Sequence, residues 1–271
     1  MLTIDEVKKI EITILSAIDK ICERNNLEYY LCGGSMIGAV RHKGFIPWDD
    51  DIDIFLKRSD YNKLIDLLKK QKEYEWLGIL DDSTENYYYP FAKAVDKNTV
   101  AKMENNLTKH GIWVDIFPID FLPKEEKKRR RLLKKCYYYR AIVIAMTTDF
   151  SMVKHDTKMI LKKILCIYAK MHGKKRIYKK YSDLIKDSER YENSKYVACL
   201  CPTYKEREIF EADKLFKRKK YEFEEKEFWG IKNYDYYLSQ LYGDYMKLPP
   251  IEKRRVHGIT AWRVKWEYFL L

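Results

Sequence analysis

The stretch that most constrains this chain runs from Leu31 to Asp60, LCGGSMIGAVRHKGFIPWDDDIDIFLKRSD. An apolar segment, Tyr29-Tyr30-Leu31-Cys32, reads as a short buried strand that stops at Gly33-Gly34. Ser35 is the expected cap of a short helix from Met36 to Arg41. Two glycines and a helix N-terminus therefore converge where backbone N–H groups can hold a phosphate. A second strand is expected after Pro47-Trp48. In it Asp51 and Asp53 stand two residues apart, so an extended backbone projects both carboxylates from one face while Ile52 and Ile54 point to the buried one. Like charges that close are costly, and a buried, uncompensated Asp53 is costlier still. A hard divalent cation resolves the conflict, most often Mg²⁺ beside a phosphate, because carboxylate oxygens suit it and it keeps positions open for substrate. The bland alternative is a solvated Asp-rich turn at Asp49-Asp50-Asp51.

Charge is the second constraint. Between Lys124 and Lys180 there are 19 Lys and Arg against 4 Asp and Glu, a net +15; the whole chain carries +12, so the remainder sums to −3. One cationic element facing something anionic fits this better than a chain-wide nucleic-acid surface, and no nucleic-acid partner is expected. The segment reads as two helices joined near Asp149 to Asp156. The second, Lys158 to Lys175, places Ile160, Leu161, Ile164, Leu165, Ile167, Tyr168 and Met171 on one face with lysines on its flanks. That composition suits either an interfacial helix in a lipid headgroup layer or a basic-rimmed core helix. No apolar run of about 18 residues predicts a membrane span, and the N-terminal MLTIDEVKKI lacks the apolar core of a secretory signal. The expected location is cytoplasmic, with peripheral attachment to the inner face of the plasma membrane as an option. The six cysteines show no zinc spacing and read as reduced; only Cys199 and Cys201 are close, and core filling suits them better than a metal.

Elsewhere the periodicity predicts an amphipathic helix over residues 3 to 26, capped by Thr3, with Ile4, Val7, Ile10, Ile14, Ile18 and Ile21 on one stripe. A further helix starts near Ser59. Short strands follow over Tyr74 to Leu80, Tyr88 to Val95 and Thr99 to Met103, the middle one placing Lys93 among apolar residues ahead of Asp96. Lys93 there is either a snorkelling surface residue or a functional cation. The strand in Gly111 to Asp120 carries Asp115 between Val114 and Ile116, a charge that wants a partner. Asp120 reads as a turn or helix-start residue. Near the C-terminus a strand pair and a helix from Tyr234 to Tyr242 are expected, then YGDYMKLPP and Arg254, Arg255 and His257.

Strand, Gly-Gly-Ser, short helix and Asp-x-Asp strand in this order resemble the nucleotidyltransferase fold, and GGSMIGAVRHKGFIPWDDDID is similar to the signature of the LicD family, whose relatives include the fukutin-related proteins. The C-terminal YGDYMKLPP segment resembles the same family; the basic segment does not enter the resemblance. The implied fold is α+β, a mixed sheet flanked by helices. Residues 1–123 would form the catalytic core, 124–182 a basic helical insertion, and 183–271 the part completing core and substrate site. The implied activity is transfer of a phospho-alcohol such as phosphocholine from a CDP-linked donor, for example CDP-choline, to a sugar hydroxyl of a surface glycan or its lipid-linked precursor, releasing CMP. By the same resemblance Asp51, Asp53 and Asp115 would hold Mg²⁺ or Mn²⁺. Gly33, Gly34, Ser35, Arg41 and Lys93 would bind donor phosphates, with Asp96 and His257 nearby, and one of Asp49, Asp51 or Asp53 would take the acceptor's proton. His257 is otherwise an ordinary surface histidine. Competing readings are a conventional nucleotidyltransferase that releases pyrophosphate and a non-catalytic scaffold carried to membranes by its basic helices.

Overall fold

Thr3 opens the first helix, α1 (Ile4–Arg24), with a capping box: its hydroxyl oxygen accepts from Glu6 N–H while the Glu6 carboxylate accepts from Thr3 N–H. A computed structural model describes this helix and the rest of residues 1–104, 106–151, 157–192, 194–254 and 258–264. Val7, Ile14, Ile18 and Ile21 are buried as the period predicts, Ile10 is partly covered and Ile4 is exposed; the surprise on the buried face is Glu11. The chain continues through β1 (Tyr29–Leu31), α2 (Gly33–Arg41), β2 (Asp53–Lys57), α3 (Arg58–Lys70), β3 (Leu77–Leu80), β4 (Ala92–Asp96), β5 (Thr99–Lys102), β6 (Lys109–His110) and β7 (Trp113–Phe121). The strand expected from Tyr74 begins three residues later, because Gln71 holds Tyr74 in a loop by two hydrogen bonds of 2.8 and 3.1 Å.

After β7 come α4 (Glu126–Thr147), α5 (Thr157–His172), α6 (Lys174–Lys186), β8 (Tyr196–Cys199), β9 (Phe210–Glu211), α7 (Ala212–Leu215), β10 (Arg218–Phe223), β11 (Lys226–Ile231), α8 (Tyr234–Tyr242) and β12 (Thr260–Arg263). The basic segment thus holds three helices rather than two: Gly173, at φ +82, breaks the second, a backbone angle that other residues rarely adopt.

The expected α+β architecture with a mixed central sheet is borne out. Strand order is β10-β11-β1-β2-β7-β4-β3, with β8 pairing the far end of β7 and β9 pairing β8. Only β1–β11 and β2–β7 are parallel among the described pairings. A smaller sheet, β12-β5-β6, flanks it. The main core fills the space between this sheet and α1, α2, α3 and α8. A second apolar cluster joins Leu133, Cys136, Val143, Ile177 and Tyr181 of the basic helices to Leu122, Ala198 and Leu200, so these helices are packed onto the edge of the core. Arg129 is turned inward from the basic run, over the Tyr196 ring at 3.9 Å.

Asp120 is a buried strand residue rather than a turn. Both its oxygens accept from Arg58, at 2.8 and 2.7 Å, tying the start of α3 to β7. The helix expected near Ser59 starts at Arg58 with Lys57 at its cap position and no side-chain cap, so this bridge anchors its start. Breaking it leaves a largely buried guanidinium without its partner; Asp120→Ala is expected to cost about 3 kcal/mol in urea unfolding, and a loss under 1 kcal/mol would show the bridge to be incidental.

Candidate active site

Three neighbouring strands bring the charged residues into one row. Asp53 on β2 stands opposite Asp115 on β7, and Asp115 stands opposite Lys93 on β4. Directly paired residues share a sheet face; the strand expected to carry Asp51 begins only at Asp53, so Asp51 joins the group from the segment just before β2. One carboxylate oxygen each from Asp51, Asp53 and Asp115 lies within 4.8 Å of the others, a spacing that can hold a metal ion. Ile52, Ile54 and Ile116 are fully buried. Burial first, then the carboxylates of Asp51, Asp115 and Asp49, hold the Asp53 carboxyl well above the usual range, with Lys93 pulling the other way.

Lys93, expected to meet a donor phosphate, is buried and turned to Asp115, with its ammonium 2.5 Å from one carboxylate oxygen and 4.5 Å from the Trp113 ring centre. The other oxygen of Asp115 accepts from the Trp113 indole at 3.1 Å. Asp115 is therefore fixed in direction by two donors, and Lys93 offsets part of the cluster's negative charge.

Ser35 does not cap α2; Cys32 occupies the cap position and the helix begins at Gly33. Ser35 is buried, and its hydroxyl oxygen accepts from Asp53 N–H at 2.8 Å, so it ties the helix to the carboxylate strand. Gly33 needs its backbone freedom, while Gly34 lies against the tip of the Asp49 side chain. Gly33 has φ +55, and a Cβ there would lie 3.1 Å from an Asp53 oxygen; a Cβ on Gly34 would lie 2.6 Å from an Asp49 oxygen. The positive end of α2 therefore abuts Asp53 and Asp49. Asp50, buried, accepts from Ile259 N–H at 3.4 Å.

Two expected residues are engaged elsewhere. Arg41 donates to the Tyr245 carbonyl at 2.5 Å and to the His42 ring at 2.9 Å. Asp96 accepts from Asn98 N–H at 2.9 Å in the β4–β5 turn, and strand alternation puts it on the face opposite Lys93. His257 lies outside the described residues.

Glu11 is the residue that the periodicity passed over. It is fully buried on α1, both carboxylate oxygens lack a hydrogen-bond partner among the described residues, and α1 packs on β7 and β4. Burial, with Asp51, Asp50 and Asp115 adding repulsion, pushes its carboxyl well above the usual range. A glutamate four residues from Val7 and three before Ile14 on an otherwise apolar stripe was the available signal.

Residues 26–146, which include the three clustered carboxylates and Lys93, match the family described as LicD/FKTN/FKRP, nucleotidyltransferase domain. Over 265 residues, 95% of this chain and 97% of the relative, the sequence is 32% identical to the lipopolysaccharide cholinephosphotransferase LicD of Haemophilus influenzae. That span takes in the basic helices, which the signature resemblance left aside. An uncharacterized protein of Rickettsia prowazekii is 31% identical over 108 residues, 40% of each chain.

Because the folded-state carboxyl of Glu11 sits above its unfolded value, the residue costs stability as pH rises past the ordinary glutamate value of about 4.3. Glu11→Met should stabilise the chelator-treated protein by about 1–3 kcal/mol at pH 8, or about 2–4 °C per kcal/mol in thermal melting, and much less at pH 4.5. Equal gains at both pH values would mean that the carboxyl is not held in this way.

Proposed function

This chain belongs to the LicD family and is by that relationship a transferase; from that premise we propose that it moves phosphocholine from CDP-choline to a sugar hydroxyl of a lipopolysaccharide or similar surface glycan, or of its lipid-linked precursor, and releases CMP. The observation that carries the reading is the carboxylate cluster of Asp51, Asp53 and Asp115 at the N-terminus of α2. Three carboxylates so close, one of them with its carboxyl held high, fit a divalent cation. Mg²⁺ or Mn²⁺ held there supplies charge neutralisation on the donor diphosphate and a more acidic acceptor hydroxyl.

The protein's own groups do the rest. The backbone N–H groups of Gly34 and Ser35, at the positive end of α2, face the donor phosphates. Lys93 and Trp113 keep Asp115 in one orientation. Asp49, over Gly34, accepts the acceptor's proton as its oxygen attacks the phosphorus that bears choline. The bond from that phosphorus to the bridging oxygen breaks, and CMP departs with the oxygen.

Asp51→Asn, Asp53→Asn and Asp115→Asn should each lower phosphocholine transfer by at least about 100-fold without unfolding the protein. Activity within tenfold of wild type in any one removes that residue from the role. CMP released from CDP-choline supports the reading; pyrophosphate released from an NTP, with CDP-choline inert, replaces it with the conventional nucleotidyltransferase reaction.

The same reading places the acceptor at a lipid surface, and α5 supports this. Ile160, Leu161, Ile164, Ile167 and Met171 are all more than half exposed, while Met159, Cys166 and Ala169 face inward, so the outer apolar stripe is not a core face. Lys162, Lys163 and Lys170 flank it. No helix of the described residues is long and apolar enough to cross a membrane. The protein should sediment with vesicles containing anionic phosphatidylglycerol at low salt, and Ile164→Ser with Ile167→Ser should weaken this at least about tenfold. Protein that stays in the supernatant at low salt sinks the membrane reading.

A further inference from the structure

Beside the carboxylate cluster lies a cavity of about 300 Å³. Gly33 and Asp53 form one wall, so a group seated in it is within a few bonds of a phosphorus held at the cluster. Tyr204, Tyr237, Tyr242, Phe210, Phe55 and Phe117 supply aromatic wall, alongside aliphatic, cysteine and Glu208 side chains. Tyr204 and Tyr242 meet edge to face at 5.2 Å, Tyr237 lies against Phe210 at 5.1 Å and against Phe55 at 6.4 Å. Among the described residues no lysine, arginine or histidine lines the cavity; its acidic residues are Asp53 and Glu208, whose carboxyl burial raises to about 7, so that a cation seated there would favour its ionised form.

We propose that this cavity, walled by Tyr204, Tyr237, Tyr242, Phe210 and Glu208, seats the quaternary ammonium of the donor and is where the enzyme selects choline over other alcohols. The proposal rests on the donor reading above and adds to it the chemistry of selection. A trimethylammonium group is a permanent cation with no N–H to donate, so ring faces and a carboxylate recognise it where hydrogen-bond acceptors do not. The Tyr237 hydroxyl oxygen accepts from Gly33 N–H at 3.1 Å, which holds its ring beside the start of α2. Glu208 also braces the wall, since one of its oxygens accepts from Thr203 N–H and Tyr204 N–H and so fixes the loop carrying the Tyr204 ring. Cys199 and Cys201, also on the wall, stay uncharged because burial holds their thiols up, Cys201 at about 11.

Tyr204 is 40% exposed, so replacing it leaves the core intact. The test is calorimetry of the full chain with choline chloride and tetramethylammonium chloride, alongside CMP release from CDP-choline and CDP-ethanolamine, for wild type, Tyr204→Leu, Tyr242→Leu and the ring-retaining Tyr204→Phe. Tyr204→Leu and Tyr242→Leu are expected to weaken choline binding and cut the preference for CDP-choline by about 5- to 30-fold, with Tyr204→Phe within about twofold of wild type. If wild type transfers phosphocholine and both Leu variants keep its preference, the pocket assignment is overturned while the reaction stands. Choline binding that depends on Tyr204 without CMP release upholds the pocket and removes the proposed reaction. Absence of choline and tetramethylammonium binding in wild type also overturns the assignment.

Discussion

Mutual repulsion among Asp51, Asp53 and Asp115 is the constraint that the surrounding structure answers. The fold brings the three together by register, β2 beside β7, and answers them with oriented groups: Lys93 and Trp113 on Asp115, the Ser35 hydroxyl on the Asp53 backbone, and the positive end of α2 against Asp53 and Asp49. None of these removes the strain wholly, since the Asp53 carboxyl still sits well above its usual range. A site left so negative is poised for a cation, and the fold keeps it so by packing the strands' other face with Ile52, Ile54 and Ile116.

Glu11 extends the same economy of charge into the helix layer. A glutamate with no partner for either oxygen is rare in a core, and its repulsion comes from the residues of the cluster. The described structure thus pairs a strongly satisfied carboxylate, Asp120 with Arg58, with an unsatisfied one on neighbouring elements. The first holds the fold together, and the second marks where the field of the site penetrates it.

The α+β architecture was legible because it rests on local pattern, period 3.6 for α1 and a glycine pair at the strand end, whereas the strand expected to hold both Asp51 and Asp53 begins only at Asp53 and buries Ile54, Phe55 and Leu56 in succession. What escaped is what depends on contacts between distant segments. Lys93 reads the same in sequence whether it snorkels or meets Asp115; only the β4–β7 register decides. Ser35 resembles a cap because Ser-before-helix is a local rule, yet the helix starts two residues earlier and its hydroxyl serves Asp53. Twenty-three tyrosines give no hint in the sequence of which ones share a cavity, and folding brings Tyr204 on the 203–208 loop together with Tyr237 and Tyr242 of α8 beside Gly33. The exposed stripe of α5 is visible as apolar spacing, but which side of it faces outward is settled by packing on α4 and α6.

The hydrogen bond from Gly33 N–H to the Tyr237 hydroxyl spans 204 residues of chain. It joins the first residue of α2 to α8, and β1 pairs with β11 across a similar separation, Leu31 with Gly230. A chain emerging from the ribosome can form α1, the β2–β7 pair and the carboxylate cluster long before β11 and α8 exist. Closing so long a loop is slow, and it comes last. Completion of the cavity beside Gly33 is thereby coupled to the emergence of α8, so a chain that has not yet reached α8 holds the acidic cluster without the Tyr237 and Tyr242 wall beside it.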